Sequence, residues 1–277
     1  MAFEELGRFG VWRPFGGFGS EDARELEALG YGTLWLGSSP PGDLVAAEEL
    51  LAATETITVA SSIVNIWSEP AAKVAESFHR IEARFPGRFL LGIGAGHPEI
   101  AAAYKKPYDA LVEYLDALDE AGVPAEARAL AALGPRVLKL AERRSAGALP
   151  YLVPAAHTAS AREILGDKAL LATEHKVVLD ADPARARATA RPRVDFYLGL
   201  QNYTANLRKF GFTDEDLTKP GSDHFYDELV AHGDATAVVD HLAGHLRAGA
   251  DHVALQVLDD DGQATLRALA PLLREVA

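Results

Sequence analysis

The chain of 277 residues is 48% hydrophobic and 24% charged, which is typical of a globular protein with a large core. Its 27 lysines and arginines against 40 acidic residues give a formal net charge of −13, which argues against nucleic acids and anionic membranes as partners. The absence of cysteine excludes disulfides, thiolate metal sites, iron–sulfur clusters and cysteine nucleophiles.

The sequence also lacks the signals of membrane insertion and secretion. No stretch approaches the roughly 18 consecutive apolar residues of a transmembrane helix, so no membrane span is expected. Met1–Glu5 includes acids where a secretory signal has a basic start. We therefore expect a cytoplasmic protein.

Short apolar runs alternate with longer segments of helical periodicity, as in a parallel sheet built from βα units. The predicted strands are Phe9–Trp12, Thr33–Leu36, Ile57–Ile63, Phe89–Ile93, Arg128–Leu133, Ala148–Val153, Lys176–Leu179 and His252–Leu258. Helices are predicted from Ser20 to Gly30, from Asp43, from Glu69–Pro70, over Pro107–Ala121, from Gly134–Pro135 and over Thr265–Val276. Ser20 and Asp43 are the expected N-caps, because their side-chain oxygens can accept hydrogen bonds from the free N–H groups of the first helical turn.

Eight strands, each followed by a helix, predict an α/β fold in which residues 1–277 form one (β/α)8 TIM-barrel domain. The regularity breaks after the seventh strand, where we predict an insertion at approximately 196–232. Its aromatic residues are Phe196, Tyr197, Tyr203, Phe210, Phe212, Phe225 and Tyr226. This aromatic content argues against disorder, so we expect an ordered lid or a subunit contact.

Ligands of such barrels bind at the C-terminal ends of the strands. After the fourth strand stands Gly92-Ile93-Gly94-Ala95-Gly96-His97, which lacks the last glycine of a dinucleotide-binding fingerprint. Gly94 and Gly96 indicate either a close approach of the backbone to a planar ligand or a tight turn. His97 is either a general acid that also binds the ligand or a structural histidine.

The fifth strand is followed by Gly134-Pro135-Arg136, which begins a helix. A helix N-terminus and an arginine together suit a phosphate, although an ordinary helix start has the same pattern. His157 and Thr158, just past the sixth strand, are candidate further donors to that phosphate.

No metal site is predicted. His241 and His245 have the i, i+4 spacing of a metal pair, but no HExxH motif or third ligand accompanies them. A solvated or interface face of an outer helix is the alternative interpretation. The GxSxG, SxxK and P-loop motifs are all absent, which counts against the corresponding hydrolases and nucleotide triphosphatases.

Several segments together resemble the bacterial luciferase-like superfamily: Ile57–Asn65 with Glu69–Ala71, Phe85–Pro98 and Gly134–Arg136. Two others, Pro107–Asp119 and Gln201–Leu207, resemble an actinobacterial branch described as F420-dependent oxidoreductases. The resemblance extends over essentially the whole chain. It implies a TIM barrel with an insertion after strand seven that binds deazaflavin F420, or alternatively FMN, at its C-terminal mouth.

The resemblance also implies positions for the cofactor. A non-prolyl cis peptide behind the ring corresponds to Ser62–Ile63, and the phosphate-binding turn corresponds to Leu133–Arg136. The resemblance and the strand ends together predict a cofactor-binding set of Ser61, Ser62, Ile63, Asn65, Gly94, Gly96, Gly134, Pro135, Arg136, His157 and Thr158. Trp12, Ser38, Trp67 and Tyr151 are expected on the side of the substrate.

Alcohol-oxidising relatives carry a histidine at the end of strand two, where this chain has Gly37-Ser38-Ser39-Pro40. We therefore predict hydride transfer between F420 and a small organic substrate, with reduction of an activated double bond favoured over alcohol oxidation. His97 is the predicted catalytic residue, and the proton comes from His97 or from water. An FMN-dependent monooxygenase and a catalytically inactive flavin-binding barrel are the alternatives. The resemblance also leads us to expect a homodimer.

Overall fold

The computed structural model describes residues 6–96 and 106–276. Its strands are β1 (Phe9–Pro14), β2 (Thr33–Gly37), β3 (Thr58–Ser62), β4 (Val64–Asn65), β5 (Phe89–Gly94), β6 (Arg128–Leu130), β7 (Gly147–Ala148), β8 (Leu170–Val178), β9 (Val230–His232) and β10 (His252–Val257). All pairings are parallel, and the order β1-β2-β3-β5-β6-β7-β8-β10 closes where β10 pairs with β1. The TIM-barrel prediction is therefore confirmed.

The helices follow the strands along the chain, and the last of them comes after β10. They are α1 (Ser20–Ala28), α2 (Val45–Ala53), α3 (Ala71–Arg84), α4 (Pro107–Glu120), α5 (Pro135–Arg144), α6 (Ala155–Leu165), α7 (Pro183–Val194), α8 (Gln201–Leu207), α9 (Asp223–Leu229), α10 (Ala235–Arg247) and α11 (Gly262–Val276). Over the described ranges, no helix combines the length and apolar character required to cross a membrane.

Three groups of buried side chains stabilise the molecule. The largest fills the space between the barrel and its helices, where residues such as Leu34 and Phe78 are almost fully buried. A second group lies inside the barrel around Trp12 and Trp35. The third belongs to the insertion and includes Phe225. Removal of this apolar surface from water is the main favourable term in folding.

The insertion is ordered, as predicted. Between α7 and β9 it forms a 3-10 turn at Asp195–Gly199, then α8, a second 3-10 turn at Arg208–Phe210, and α9. β9 pairs with the end of β8, beside the closed barrel. The insertion therefore covers the C-terminal end of the barrel on the side of β8.

Several predicted boundaries were wrong. The predicted strand Ala148–Val153 is only Gly147–Ala148, whereas Lys176–Leu179 is the last part of the much longer β8. The N-cap of α1 is Gly19 rather than Ser20, and that of α2 is Leu44 rather than Asp43. The Asp43 carboxylate still accepts the Val45 N–H at 3.3 Å, so part of its expected capping role remains.

A buried histidine joins strands near the N-terminal end of the barrel. His252 accepts a hydrogen bond from Trp35 Nε1 at its Nε2 (2.9 Å) and donates from Nδ1 to the Gly7 carbonyl (2.8 Å). A second proton on Nε2 would face the indole N–H, so these bonds hold the ring neutral. Desolvation lowers the pKa of His252 to about 4.

We expect acid to destabilise the protein through its buried histidines. Desolvation also lowers the pKa of His245, to about 3, so the unfolded chain binds more protons than the folded chain below the ordinary histidine value of 6.5. The free energy of unfolding should be highest above pH 6.5. As the pH falls toward 4, it should decrease by up to about 1.4 kcal/mol per pH unit for each histidine.

Urea unfolding at several pH values would measure this dependence. His252→Gln, which keeps a donor and an acceptor, should lower the slope by the share of one histidine. The matched control is His79→Gln, on an exposed face of α3. An unchanged slope in His252→Gln would show that this histidine is not responsible.

Candidate functional site

A cavity of about 410 Å³ opens at the C-terminal ends of the strands. Its walls come from the ends of six strands, from the first turns of α4 and α5, and from α8 of the insertion. Seven predicted site residues line it: Trp12, Ser38, Ser62, Ile63, Gly96, Gly134 and Tyr151. The other described members of the predicted set are outside its lining: Ser61, Asn65, Trp67, Gly94, Pro135, Arg136, His157 and Thr158.

Trp12 forms one wall of the cavity and is held in place from two sides. Its Nε1 donates to Ser62 Oγ at 3.1 Å, and its ring lies 5.8 Å from that of Tyr151. Gly37 leaves room for the indole, because a Cβ at this position would lie 1.9 Å from a Trp12 ring carbon. The glycine after the second predicted strand is thus required by packing.

The peptide bond between Ser62 and Ile63 is cis, as the resemblance predicts. Both residues line the cavity. Ser61 lies behind them, since its buried hydroxyl bonds to the backbone N–H and carbonyl of Gly92, each at 2.9 Å. Ser61 therefore links β3 to β5 instead of facing a ligand.

The glycines after strand β5 differ in their surroundings. A Cβ at Gly94 would lie 2.9 Å from Ala131 and 3.0 Å from Ile63, which are both cavity-lining residues. Gly96 lines the cavity itself, with a φ of 60° that favours glycine. A Cβ there would lie 2.8 Å from the side chain of Asn65.

Two other predicted residues hold the neighbouring loop. Asn65 Oδ1 accepts the Trp67 N–H at 3.0 Å, and the Trp67 indole donates to the Ala95 carbonyl at 2.6 Å. Both side chains therefore organise the segment between β4 and α3 against the end of β5. Their observed contacts are with protein groups.

The predicted phosphate turn begins α5, with Gly134 as the N-cap and Pro135 in the first turn. Gly134 faces open space, with no atom within 4 Å of a Cβ placed there. Arg136 is exposed and points along the outside: its guanidinium lies 3.6 Å from the ring of Tyr108 and 3.8 Å from Asp109. Tyr108, in turn, lines the cavity.

His157 supports this turn from behind. Its Nε2 donates to the Leu133 carbonyl at 2.9 Å, so the buried Nδ1 is left as an acceptor without a partner. Desolvation lowers the pKa of His157, which favours the neutral ring. A neutral ring in this orientation offers a phosphate no donor, and the observed contact of His157 is with the Leu133 carbonyl.

Thr158 points away from the cavity. Its hydroxyl lies 2.8 Å from Nδ1 of His245, whose Nε2 lies 2.9 Å from His175 Nδ1. His245 is fully buried, which contradicts the predicted solvated face of α10. Within residues 6–96 and 106–276, no three metal-ligating side chains are arranged to hold a metal ion.

Sequence reasoning missed the polar end of the cavity, which is formed by Asn202, Asn206 and Lys209. Asn206 is buried, and its Nδ2 has no hydrogen-bond partner; the Oδ1 of Asn202 is also unpaired. Lys209 lies at the exposed rim and forms no ion pair with the described part of the chain. Both asparagines belong to the run Gln201–Leu207 that resembles the F420-dependent branch, but the sequence predicted no role for either of them.

A buried ion pair at the base of the cavity was also missed. Lys176 and Glu174, two residues apart on β8, contact each other at 3.0 Å. The Lys176 ammonium lies 4.0 Å from the ring centre of Tyr151, and the Tyr151 and Tyr197 hydroxyls are 2.8 Å apart. The i, i+2 spacing of two charges in an apolar strand places them on one face, and that signal was available in the sequence.

The predicted proton donor, His97, lies outside the described residues. The end of β2 carries Ser38 and Ser39, with φ values of 59° and 54°, and both line the cavity. Neither hydroxyl is a strong base. The titratable side chains that line the cavity among the described residues are therefore tyrosines and Lys209.

Residues 20–122 match the family model of the luciferase-like monooxygenases. The predicted resemblance to luciferase-like proteins is confirmed. No curated protein sequence matches the chain at a significant level. The match covers strands β2–β5 and the cis peptide region, and Ser62, Ile63 and Gly96 within it line the cavity.

Several solved structures have the same fold as this chain over nearly its whole length. An F420-dependent secondary alcohol dehydrogenase, in complex with an F420-acetone adduct, has a TM-score of 0.77 at 14% identity and covers 98% of this chain and 99% of its own. For the coenzyme F420 dependent tetrahydromethanopterin reductase from Methanopyrus kandleri the TM-score is 0.71 at 16% identity, with 95% and 97% covered.

An FMN-bound structure is equally similar. The oxygenating constituent of 3,6-diketocamphane monooxygenase, a type II Baeyer–Villiger monooxygenase from the CAM plasmid of Pseudomonas putida, has a TM-score of 0.73 at 15% identity. The alignment covers 98% of this chain and 97% of that one. At these identities the likeness establishes the fold, and the fold accommodates both cofactors.

Proposed function

We propose that the chain is an oxidoreductase that transfers a hydride between F420 and a small organic substrate. The observation that carries this proposal is the composition of the cavity. Its walls are mainly apolar. Two asparagines, each with one unpaired amide atom, and a lysine line it, as do tyrosines. An enclosed apolar site with a few oriented polar groups is what hydride transfer requires from the protein.

The residues around the α5 N-terminus fit the anionic part of such a cofactor. The start of α5 offers backbone N–H groups and the positive end of a helix dipole, and Gly134 leaves open space in front of them. The unpaired Nδ2 of Asn206 and the ammonium group of Lys209 lie along the same cavity. When bound, F420 supplies the hydride; these residues would hold its polar chain and orient its ring.

Binding titrations of the purified chain with F420 and with FMN test the proposal directly. Cofactor fluorescence reports both, and we expect tighter binding of F420. A preference for FMN, with oxygen consumption on addition of reduced flavin, would replace the proposal with a flavin-dependent monooxygenase. Binding of neither would leave a barrel without this chemistry.

Lys209 should contribute more to cofactor binding than Arg136. We expect Lys209→Met to weaken F420 binding about fivefold and to reduce its salt dependence, because an unpaired cation at the rim is lost. Arg136→Met should weaken binding about twofold, since that guanidinium already stacks on Tyr108 beside Asp109.

Lys139→Met is the matched control for both variants, because Lys139 is an exposed lysine farther along α5. It should bind F420 as the unaltered chain does. Equal effects of Lys209→Met and Lys139→Met on F420 binding would show that Lys209 does not contact the cofactor and that only the net charge of the protein affects binding.

A homodimeric assembly and a cytoplasmic location belong to the same proposal. Light scattering on the purified chain and fractionation of the producing cells would test them. A single domain over residues 1–277 predicts one cooperative unfolding transition.

A further inference from the structure

Two tyrosines in the wall of the cavity and three polar side chains behind them form a connected group, which we call the tyrosine pair and its supports. The tyrosine pair is Tyr151 and Tyr197, and its supports are Gln256, Lys176 and Glu174. The Tyr151 hydroxyl lies 2.8 Å from that of Tyr197 and 2.9 Å from Gln256 Oε1. Both tyrosines line the cavity, which they reach from strand β7's end and from the insertion.

The number of hydroxyl hydrogens determines which group donates and which accepts in each hydrogen bond. A phenol has one hydrogen, and Tyr151 donates its hydrogen to the Gln256 carbonyl. In the contact between the two hydroxyls, Tyr197 therefore donates and Tyr151 accepts. An oxygen acceptor bound in the cavity can take the hydrogen of Tyr197 if Tyr151 turns its own from Gln256 toward Tyr197.

The pair holds its protons at neutral pH. Burial raises the pKa of Tyr197 to about 12, and burial together with Glu174 raises the pKa of Tyr151 well above its usual value. Both phenols are consequently donors and not bases. Loss of a proton from the pair therefore requires another group that stabilises the resulting phenolate.

Lys176 is placed to provide that stabilisation. Its ammonium lies 4.0 Å from the ring centre of Tyr151 and 5.4 Å from that of Tyr197. Glu174 Oε1 is 3.0 Å from the ammonium, and Glu174 Oε2 accepts the Leu152 N–H at 3.2 Å. Gln256 is the register partner of Lys176 on β10, so two strands fix the supports rigidly beneath the tyrosines.

We propose that Tyr197, coupled to Tyr151 and supported by Lys176 and Glu174, donates the proton that accompanies hydride transfer and binds the oxygen of a carbonyl substrate. The inference rests on the proposed function and adds the substrate class: ketones and conjugated carbonyl compounds. Their polarised oxygen suits a neutral phenol donor near a buried cation.

The step balances with the reduced deazaflavin as the reductant. When bound, the reduced cofactor would supply the hydride and be oxidised by two electrons as its own C–H bond breaks. A C–H bond would form at the substrate carbon while the π electron pair moves toward the carbonyl oxygen. That oxygen then takes the Tyr197 proton as the phenol O–H bond breaks. The phenolate left on the pair lies near Lys176 until solvent returns a proton.

The first test uses an oxyanion probe on the cofactor-free chain, so it is independent of turnover. 4-Nitrophenol is titrated at a pH where it is ionised, and its visible absorbance reports binding. Tyr197→Phe and Tyr151→Phe should each weaken binding about tenfold, the effect of losing a hydrogen bond to a charged group. Tyr31→Phe is the control, because that buried hydroxyl bonds to the Leu266 carbonyl outside the barrel.

The second test separates electrostatic support from a merely structural role. Glu174→Gln keeps an acceptor for the Leu152 N–H but removes the carboxylate that raises the pKa of Lys176 against the lowering effect of burial. Where Lys176 stays protonated, the phenolate should bind about threefold more tightly, and this gain should disappear as the pH rises. The double variant Glu174→Gln/Lys176→Met removes both charges and should bind the probe about fivefold more weakly. A structural role alone would weaken binding in both variants.

Each outcome decides the inference. Opposite effects of the two Glu174 variants, with weak binding in both tyrosine variants, would support it. Failure of the unaltered chain to bind the phenolate, or equal affinities across the series, would overturn it. If the probe series holds while F420 does not bind, the proposed function fails and the oxyanion site remains.

Discussion

Gly37→Ala should unfold more easily than the unaltered chain by about 3 kcal/mol, the cost of overpacking together with a lost hydrogen bond. A Cβ at this position would lie 1.9 and 2.2 Å from two carbons of the Trp12 indole. The indole must move, and its 3.1 Å hydrogen bond to Ser62 must break with it. Urea unfolding would measure the loss, and tryptophan fluorescence would report the displaced ring.

The origin of this effect can be isolated with a double-mutant cycle. In a Trp12→Leu background the smaller side chain removes the clash, so Gly37→Ala should then cost less than about 1 kcal/mol. Gly16→Ala is the control, because no atom lies within 4 Å of a Cβ placed there. An equal cost of Gly37→Ala in both backgrounds would place its effect in the backbone and not in contact with Trp12.

The same contact relates stability to function. Trp12 forms a wall of the cavity and lies 5.8 Å from Tyr151, which belongs to the tyrosine pair. A displaced indole would therefore change the shape of the substrate side as well as the packing of β1 against β2. We expect Gly37→Ala to lose phenolate binding even at temperatures where it remains folded.

The second large effect is expected at Arg128, the first residue of β6. Its side chain is buried at 1% exposure, where Nε donates to the Arg144 carbonyl at 3.1 Å and Nη2 contacts Asp119. Arg128→Met removes the cation and leaves the carbonyl without its donor. The free energy of unfolding should fall by about 3 kcal/mol, which is typical when a buried ionic group is removed.

Arg144→Met provides the matched control. Arg144 contacts the same carboxylate, at 2.7 Å, and also Asp116, but these pairs lie at the surface. Exposed ion pairs contribute little, so this variant should lose less than about 1 kcal/mol. Urea unfolding would measure both variants. Equal decreases in their free energies of unfolding would contradict this prediction.

The sequence predicted the barrel because its signals are local and repeat. Apolar runs such as Thr33–Leu36 and Phe89–Ile93 lie between segments of helical periodicity, and these two strands are buried on both faces. The predictions failed where local composition and tertiary contact disagree. Ala148–Val153 has a strand-like composition, yet only Gly147–Ala148 pairs with neighbours, and the chain after it turns into the cavity wall with Leu152 at a φ of 55°.

The residue resemblance placed the cis peptide correctly at Ser62–Ile63 and led to the correct end of the barrel. It did not predict where individual side chains point. Thr158 bonds to His245, and Arg136 lies along Tyr108. A motif gives the position of a residue in the chain. The direction of its side chain depends on which neighbour offers a partner.

The sequence by itself determined that this protein is a βα-repeating barrel with an aromatic insertion and a resemblance to luciferase-like proteins. These properties follow from periodicity and from short contiguous motifs, which need no knowledge of distant contacts. Only the tertiary structure decided that Tyr151, Tyr197, Lys176 and Gln256 meet beneath one cavity. Their contacts join residues from the end of β7 to β10. Barrel closure brings them together because β8 and β10 pair directly, and the insertion contributes Tyr197.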